Sequence, residues 1–378
     1  MADNDLGDAQ PPFVLMEQLD EALHLPYQVD SVEFSPSGRF VAGATAERPV
    51  QVWDRDTGHV ASTGSLMEKE RLRSVVFTSS GVVVTASYRH LSGVRYEGDQ
   101  AIPYGVDGIV RVQRSDRDEV VSLPGHDPAP TGAASSPNGE LVVTTDPSWR
   151  VRLWRMPTGD MVAARDWQGG QRESPNLSRY DLVTFSPDGR YLALCCDGAR
   201  QQAQVWRVDE SAPALTWIGT IAHLPRLAKC SFSPDGQHLL LLLGSEERGY
   251  PGRELVMYEV PSLTEVERIR IPTEGEREDV IMDAALSPDR IYLVLATRSA
   301  QVWLWDCAQR RFILSFQAHL DFSAGGTPYA RYAQFYSLNR VAWAPDGTCL
   351  ATGGYCPDPN NLRFSIRLWR IVSVEDVR

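Results

Sequence analysis

Lysine is almost missing from this chain: Lys69 and Lys229 stand against 35 arginines in 378 residues. That skew reads as codon bias in a GC-rich genome, and it strips any single arginine of value as a signal. A long apolar run is missing too. The strongest, "HLLLLLG", has the length of a strand and falls far short of the roughly 18 residues that span a bilayer. The opening "MADNDLGDAQPP" is acidic and polar, which argues against a secretory signal or transit peptide. The six cysteines (Cys195, Cys196, Cys230, Cys307, Cys349, Cys356) lack metal-ligand spacing, and most sit inside apolar runs. They read as buried reduced thiols rather than disulfides or a zinc site. No G-x-S-x-G, H-E-x-x-H or phosphate-cradling glycine loop occurs. A net charge of −12 lacks the basic field that non-specific nucleic-acid or anionic-membrane binding requires. The expectation from these absences is a cytoplasmic protein with no cofactor, no tightly held metal and no catalytic residues.

What is present is repetition. One phrase returns about every 50 residues, a period typical of stacked or radial repeats. It reads "VEFSPSGRFVAGA", "VVFTSSGVVVTAS", "AASSPNGELVVTT", "VTFSPDGRYLALC", "CSFSPDGQHLLLL", "AALSPDRIYLVLA" and "VAWAPDGTCLATG". Each copy is an alternating strand, a tight polar turn and a second alternating strand. Proline presets φ at the turn's second position, and Asp or Asn with Gly accepts the remaining dihedrals. A third strand follows and ends in an aromatic, as in "VQVWDRDTG", "VRLWRMPTG" and "VWLWDCAQ", with Gln113 in that place in the second copy. A fourth, such as "RFILSFQAH", completes the unit.

Seven such units cannot each bury their own faces, but arranged radially each sheet covers its neighbours. The S-P-D-G turn, the W-D or W-R strand end and a closing His make the chain resemble the WD40-repeat β-propeller family over nearly its whole length. The resemblance implies an all-β, seven-bladed propeller and a scaffolding role. It also implies that His24, His126, His223 and His319 hydrogen-bond inside their blades with an Asp and a Ser or Thr. The Asp position holds Asp107 in the second unit but Glu47, Ser148, Arg200, Gly252, Ser299 or Arg363 elsewhere, so apolar packing must replace much of that network. The seventh unit lacks a fourth strand, and Phe13–Leu19 is expected to supply it by pairing around Ser365–Arg370. Residues 1–11 then form a flexible acidic N-terminus, 12–373 a single propeller and 374–378 a C-terminal tail.

The repeats also serve as a ruler. From turn proline to terminal aromatic is 17 residues in units one, three and six, but 24 in five and seven, and more in two. His319 stands 26 residues before Pro345, whereas His126 and His223 stand 11 before theirs. Every excess falls between second and third strands or between one unit's outer strand and the next unit's inner strand. In a four-stranded blade those connections share one face of the disc, while the opposite turns stay tight. The insertions are too aromatic for disorder, and loops longer than a connection requires are usually functional. Together they carry Tyr88, Arg89, Arg95, Tyr96, Tyr104, Trp167, Arg172, Tyr180, Tyr250, Arg253, Tyr329, Arg331, Tyr332, Phe335, Tyr336 and Arg340. Tyr, Trp and Arg dominate binding hot spots, which points to a protein or peptide partner on this face and away from nucleic acid or membrane. For "GTPYARYAQFYSLNR" two readings stay open: its rings contact a partner, or they pin the loop to its own blade.

A rival reading from another class is a propeller enzyme, such as a lactonase-like hydrolase, with its site at the central channel mouth. The residues available there are Asp30, Arg73, Asp181, Lys229, Asp283 and Arg340, at the starts of the inner strands. "EGERED" (Glu274, Glu276, Glu278, Asp279) reads instead as an exposed acidic loop, with nothing apolar nearby to raise a carboxyl pKa.

Overall fold

The computed structural model describes the chain apart from the ends 1–12 and 374–378 and a set of connections. The longer of these are 18–22, 64–69, 115–119, 124–129, 167–180, 197–201, 210–213, 244–253, 271–280, 319–337 and 358–363; gaps of three residues or fewer occur in other turns. The described residues form β-strands and turns without a helix. In each of blades one to six, four strands, lettered a to d here, lie side by side in antiparallel pairing and in chain order. The a strands are Ser31–Phe34, Glu70–Phe77, Gly132–Ser135, Asp181–Phe185, Leu227–Phe232 and Ile281–Leu286, with Leu338–Trp343 in blade seven. Each a strand touches the a strand of the next blade, and blade seven returns to blade one. That closed circuit is the inner ring of a seven-bladed β-propeller.

Among the described residues the buried apolar side chains form no single core but seven clusters, one at each junction between neighbouring blades. The strand alternation explains why. Along His238–Leu243, Leu239, Leu241 and Leu243 face blade four, whereas Leu240 and Leu242 face blade six. An antiparallel sheet commonly shows water one of its faces. Here both faces are covered, so the middle strands read as unbroken apolar runs.

The recurring turn is built from its own side chains. In blade four the Ser186 hydroxyl contacts Asp188 Oδ1 at 2.6 Å and accepts the Tyr191 N–H at 2.9 Å, while Asp188 accepts the Arg190 N–H at 3.1 Å. Gly189 adopts φ 73°, a left-handed conformation that glycine tolerates without a Cβ clash. Blade seven carries Ala344 in place of the serine. Asp346 accepts there from Thr348 and reaches Arg55 Nη1 of blade one at 2.8 Å, an ion pair across the closing seam.

The seam itself differs from the expected one. The outer strand of blade seven comes in two pieces: Phe13–Glu17 pairs with Trp369–Ser373, and Leu23–Leu25 pairs with Phe364–Ile366. The chain start therefore closes the ring, but further along the third strand than Phe13–Leu19 on Ser365–Arg370. Leu23 and Leu25 are buried against Gly43, Trp53 and Ile366, which draws the inner piece into the blade one–seven core. A Cβ at Gly43 would meet Ile366 Cδ1 at 2.5 Å, so the approach depends on glycine.

The expected side-chain network is partial. The indole N–H of Trp154 donates to Thr144 Oγ1 at 2.7 Å and that of Trp369 to Thr352 Oγ1 at 2.9 Å. In blades four and six the same register offers Leu194 and Leu295, and the buried Nε1 atoms of Trp206 and Trp305 have no hydrogen-bond partner among the described residues. His223 lies exposed at φ 56° and does not close its blade, in keeping with the missing Asp and Thr around Trp206. Of the other repeat-closing histidines, His126 and His319 lie outside the described residues.

Two outcomes follow from this packing. Deleting residues 1–25 removes two buried leucines and a strand pairing, and should cost about 3 kcal/mol or more in a denaturant melt. An unchanged midpoint would contradict the closure. Thr144→Val removes the Thr144 acceptor of the Trp154 indole N–H in the core and should cost about 1–3 kcal/mol, whereas Trp206→Phe, which removes no such bond among the described residues, should cost less than Trp154→Phe.

Candidate interaction face and channel mouth

Because each blade is an antiparallel meander, the b–c and d–a connections emerge at one end and the a–b and c–d turns at the other. Most of the proposed contact residues fall, by sequence, in the b–c and d–a connections. Tyr104, Trp167, Arg172, Tyr180, Tyr250, Arg253, Tyr329, Arg331, Tyr332, Phe335 and Tyr336 lie outside the described residues. The blade-two insertion departs from the expected loop. Strands Val82–His90 and Val106–Arg114 continue their ladder outward, placing Tyr88 opposite Gly108 and Arg89 opposite Asp107. Beyond them Val94–Glu97 and Gln100–Pro103 pair as a separate hairpin, with Tyr96 opposite Ala101 and Arg95 opposite Ile102. The physical reason is legible in the residues. "VVVTASYRH" is β-branched and aromatic, and Gly98-Asp99 is a two-residue link of the kind that favours tight hairpins.

At the start of the a strands, on the same end, the structure brings charged residues together. Lys229 Nζ of blade five lies 2.9 Å from Asp283 Oδ1 of blade six. Asp283 is buried, and it also accepts the N–H of Ala284 at 2.9 Å and of Val341 in blade seven at 3.1 Å. One carboxylate thus ties three consecutive blades. A β-bulge precedes Lys229, Asp283 and Arg340 at equivalent places, between Leu227 and Lys229, Ile281 and Asp283, and Leu338 and Arg340. Bulges of this kind re-aim the side chains that follow them. Arg340 is half-buried beside this group and stands opposite Gly353 in its blade. Asp181 and Arg73 belong to the a strands of blades four and two, while Asp30 lies outside the described residues. Among the described residues no three His, Cys, Asp or Glu side chains cluster as metal ligands, and Asp283 is occupied by protein donors.

Sequence reasoning passed over Glu33. It is two residues before the turn serine, where the other blades carry Val76, Ala134, Thr184, Ser231, Ala285 and Ala342. A charge at the one place where six equivalent positions are uncharged was the available signal. Glu33 accepts the Phe77 N–H of blade two, and burial pushes its carboxyl pKa up to about 8 against the opposing attraction of Lys229. Blade five is not a neighbour of blade one, so that attraction acts across the channel. Glu33 is therefore surrounded by protein yet keeps partial exposure.

The sign of the pH effect follows. Unfolded, the Glu33 carboxyl loses its proton near 4.5, whereas folded it keeps it to about 8. Stability contributed by this group is complete below the first value, falls as pH rises through the window, and is gone above the second. Glu33→Gln stays neutral and keeps an acceptor for Phe77. It should flatten the pH dependence between pH 5 and 8 and raise stability at pH 8 by about 1–3 kcal/mol, after allowance for channel water. Urea melts at the two pH values would show it; an unchanged slope in the variant would contradict it.

Residues 117–155, from the outer strand of blade two to the third strand of blade three, match the family model described as WD40, the WD domain, G-beta repeat. The chain is 25% identical over 221 residues to protein HIR1 of Yarrowia lipolytica, covering 56% of this chain and 16% of that protein. It is 32% identical over 112 residues to an uncharacterized WD repeat-containing protein of Deinococcus radiodurans, 29% of this chain and 40% of the relative. A Synechocystis protein, also an uncharacterized WD repeat-containing protein, is 25% identical over 163 residues, 43% of this chain and 39% of its own. The chain thus spans less than half the length of each of these relatives. The seven blades meeting at one axis make the chain a β-propeller, and the repeat match and the WD repeat-containing relatives support WD40-type repeats in it.

Proposed function

We propose that this propeller is a non-enzymatic scaffold that binds a protein or peptide partner on its loop-decorated face. Propellers of this family commonly serve as protein-interaction scaffolds. The observation that carries the reading is the asymmetry of the two ends. At one end the turns are short and locked by Ser–Asp or Ser–Asn contacts, such as Ser233 to Asp235 and Ser136 to Asn138. At the other, the connections lengthen in blade after blade and fill with Tyr, Trp and Arg. A scaffold that needed only to stay folded has no use for length at one end alone. The anchors of this reading are the blade-two hairpin with Arg95 and Tyr96, and the stretch from Tyr329 to Tyr336.

Truncating Tyr332 and Tyr336 together to Ala should leave stability within about 1 kcal/mol if the rings face a partner. Capture of the partner from the source cell should then weaken by about 2 kcal/mol per anchor. A melt showing a loss of about 3–5 kcal/mol instead would make the stretch a clamp on its own blade.

A further inference from the structure

The outer rim at blades three and four is unlike the rest of a chain whose net charge is −12. The d strand of blade four, Ala214–Ile221, runs for eight residues without an ionisable side chain. Its neighbour in blade three, Asp160–Asp166, holds the apolar stretch Met161–Ala164 between charged ends, and the two strands lie against each other. Trp217 stands opposite Trp206 and so shares its sheet face, the one turned to blade three. Trp206 is buried there, whereas Trp217 is 47% exposed. The face turned to blade five is covered, because Leu263 closes over Gly219 so tightly that a Cβ there would meet its Cδ1 at 2.8 Å. On blade three, the side turned to Trp217 carries Asp160, Ala163 and Arg165, opposite Arg155, Leu153 and Val151. Ala163 is too small to cover an indole ring. Asp160 accepts the Thr158 hydroxyl at 2.7 Å and Arg165 donates to the Ala164 carbonyl at 2.9 Å. Both are exposed, and neither is in an ion pair among the described residues.

We propose that this rim is the contact between two copies of the chain, with the Trp217 rings meeting at its centre. The charges select the occupant. An apolar patch with an acid at one end and a base at the other complements itself when a second copy is turned end over end. Asp160 of each copy then lies beside Arg165 of the other, and the two Trp217 rings fill the space between. The parallel arrangement would set acid level with acid and base level with base. Two chains of net charge −12 repel each other, and this patch is a place where they meet without like charges face to face. Each strand carries a bulge, at Val162 and at Ile218, that breaks regular pairing. The copies therefore meet through side chains rather than through an added strand. A patch confined to two strands suits a reversible dimer of micromolar affinity rather than an obligate one. The decorated faces of the pair point in opposite directions, so the contact stands apart from the scaffold reading and leaves both faces open.

The test is sedimentation equilibrium of the full chain between about 1 and 100 μM, where a reversible monomer–dimer equilibrium is expected. Trp217→Ser should weaken the dimer about tenfold or more. Asp160→Arg and Arg165→Asp, made singly, each set like charges against each other across the contact and should weaken it about tenfold. The double variant exchanges the two charges, restores the complementarity and should return to within about threefold of the wild type. All four positions of change are on the exposed rim, and a thermal melt of each variant establishes that it is folded. A wild type that stays monomeric throughout the range would overturn the contact and leave the scaffold reading standing. A dimer indifferent to Trp217→Ser, or a double variant as weak as the singles, would overturn it as well.

Discussion

Each of the seven blade sheets must be covered on both faces, and among the described residues only another blade is there to do it. That constraint shapes the rest. A strand such as His238–Leu243 divides its leucines between two neighbours, so no blade has a core of its own. Removing a neighbour would expose half of each strand's apolar residues. The only arrangement with no uncovered face is a closed ring, and the ring can close only if blade seven meets blade one. The contacts there are correspondingly close: Leu25 against Gly43 and Ile366, Val29 N–H on the Gly354 carbonyl, and Arg55 on Asp346.

Closing the ring also creates an inner edge. The a strands have no strand partner towards the axis, so part of their backbone polarity must be met by side chains. Asp283 takes the Val341 N–H and Glu33 takes the Phe77 N–H, each reaching from one blade to the next.

The outer edge shows a related device. In blades one, three, four, five and six the c–d pairing shifts register just before the aromatic that ends strand c, at Trp53, Trp154, Trp206, Tyr258 and Trp305. Blade two has Gln113 in that place and pairs without a shift. Such bulges twist an exposed edge away from regular pairing with another chain.

Much of this was legible in the residues, because the turn chemistry is local. Pro with Asp-Gly or Asn-Gly fixes the hairpin in units three, four, five and seven, and Pro-Ser-Gly, Ser-Ser-Gly and Pro-Asp-Arg hold the same place in units one, two and six. Seven turns in register fix the architecture. Features that depend on distant partners were harder to read. The broken outer strand depends on how Leu23 and Leu25 fit against Ile366, which the pattern of "FVLMEQLDEALH" does not encode. The blade-two ladder through Tyr88 and Arg89 looked like a loop because its length, rather than its composition, was weighed. Glu33 was overlooked because alternation alone does not distinguish a residue facing the axis from one facing a neighbouring blade. His223 was misread because its place in the repeat was matched without its partners.

The split outer strand of blade seven has a consequence for how the protein is made. Phe13–Glu17 leaves the ribosome roughly 350 residues ahead of Trp369, its partner, a wait of about 20 to 70 s at about 5–20 residues per second. Throughout that time Phe13–Glu17 has no ladder to join, and blade one has one face unprotected. The nascent chain therefore carries two open apolar margins until blade seven emerges, which makes the making of that one blade the event that withdraws both from chaperones and proteases.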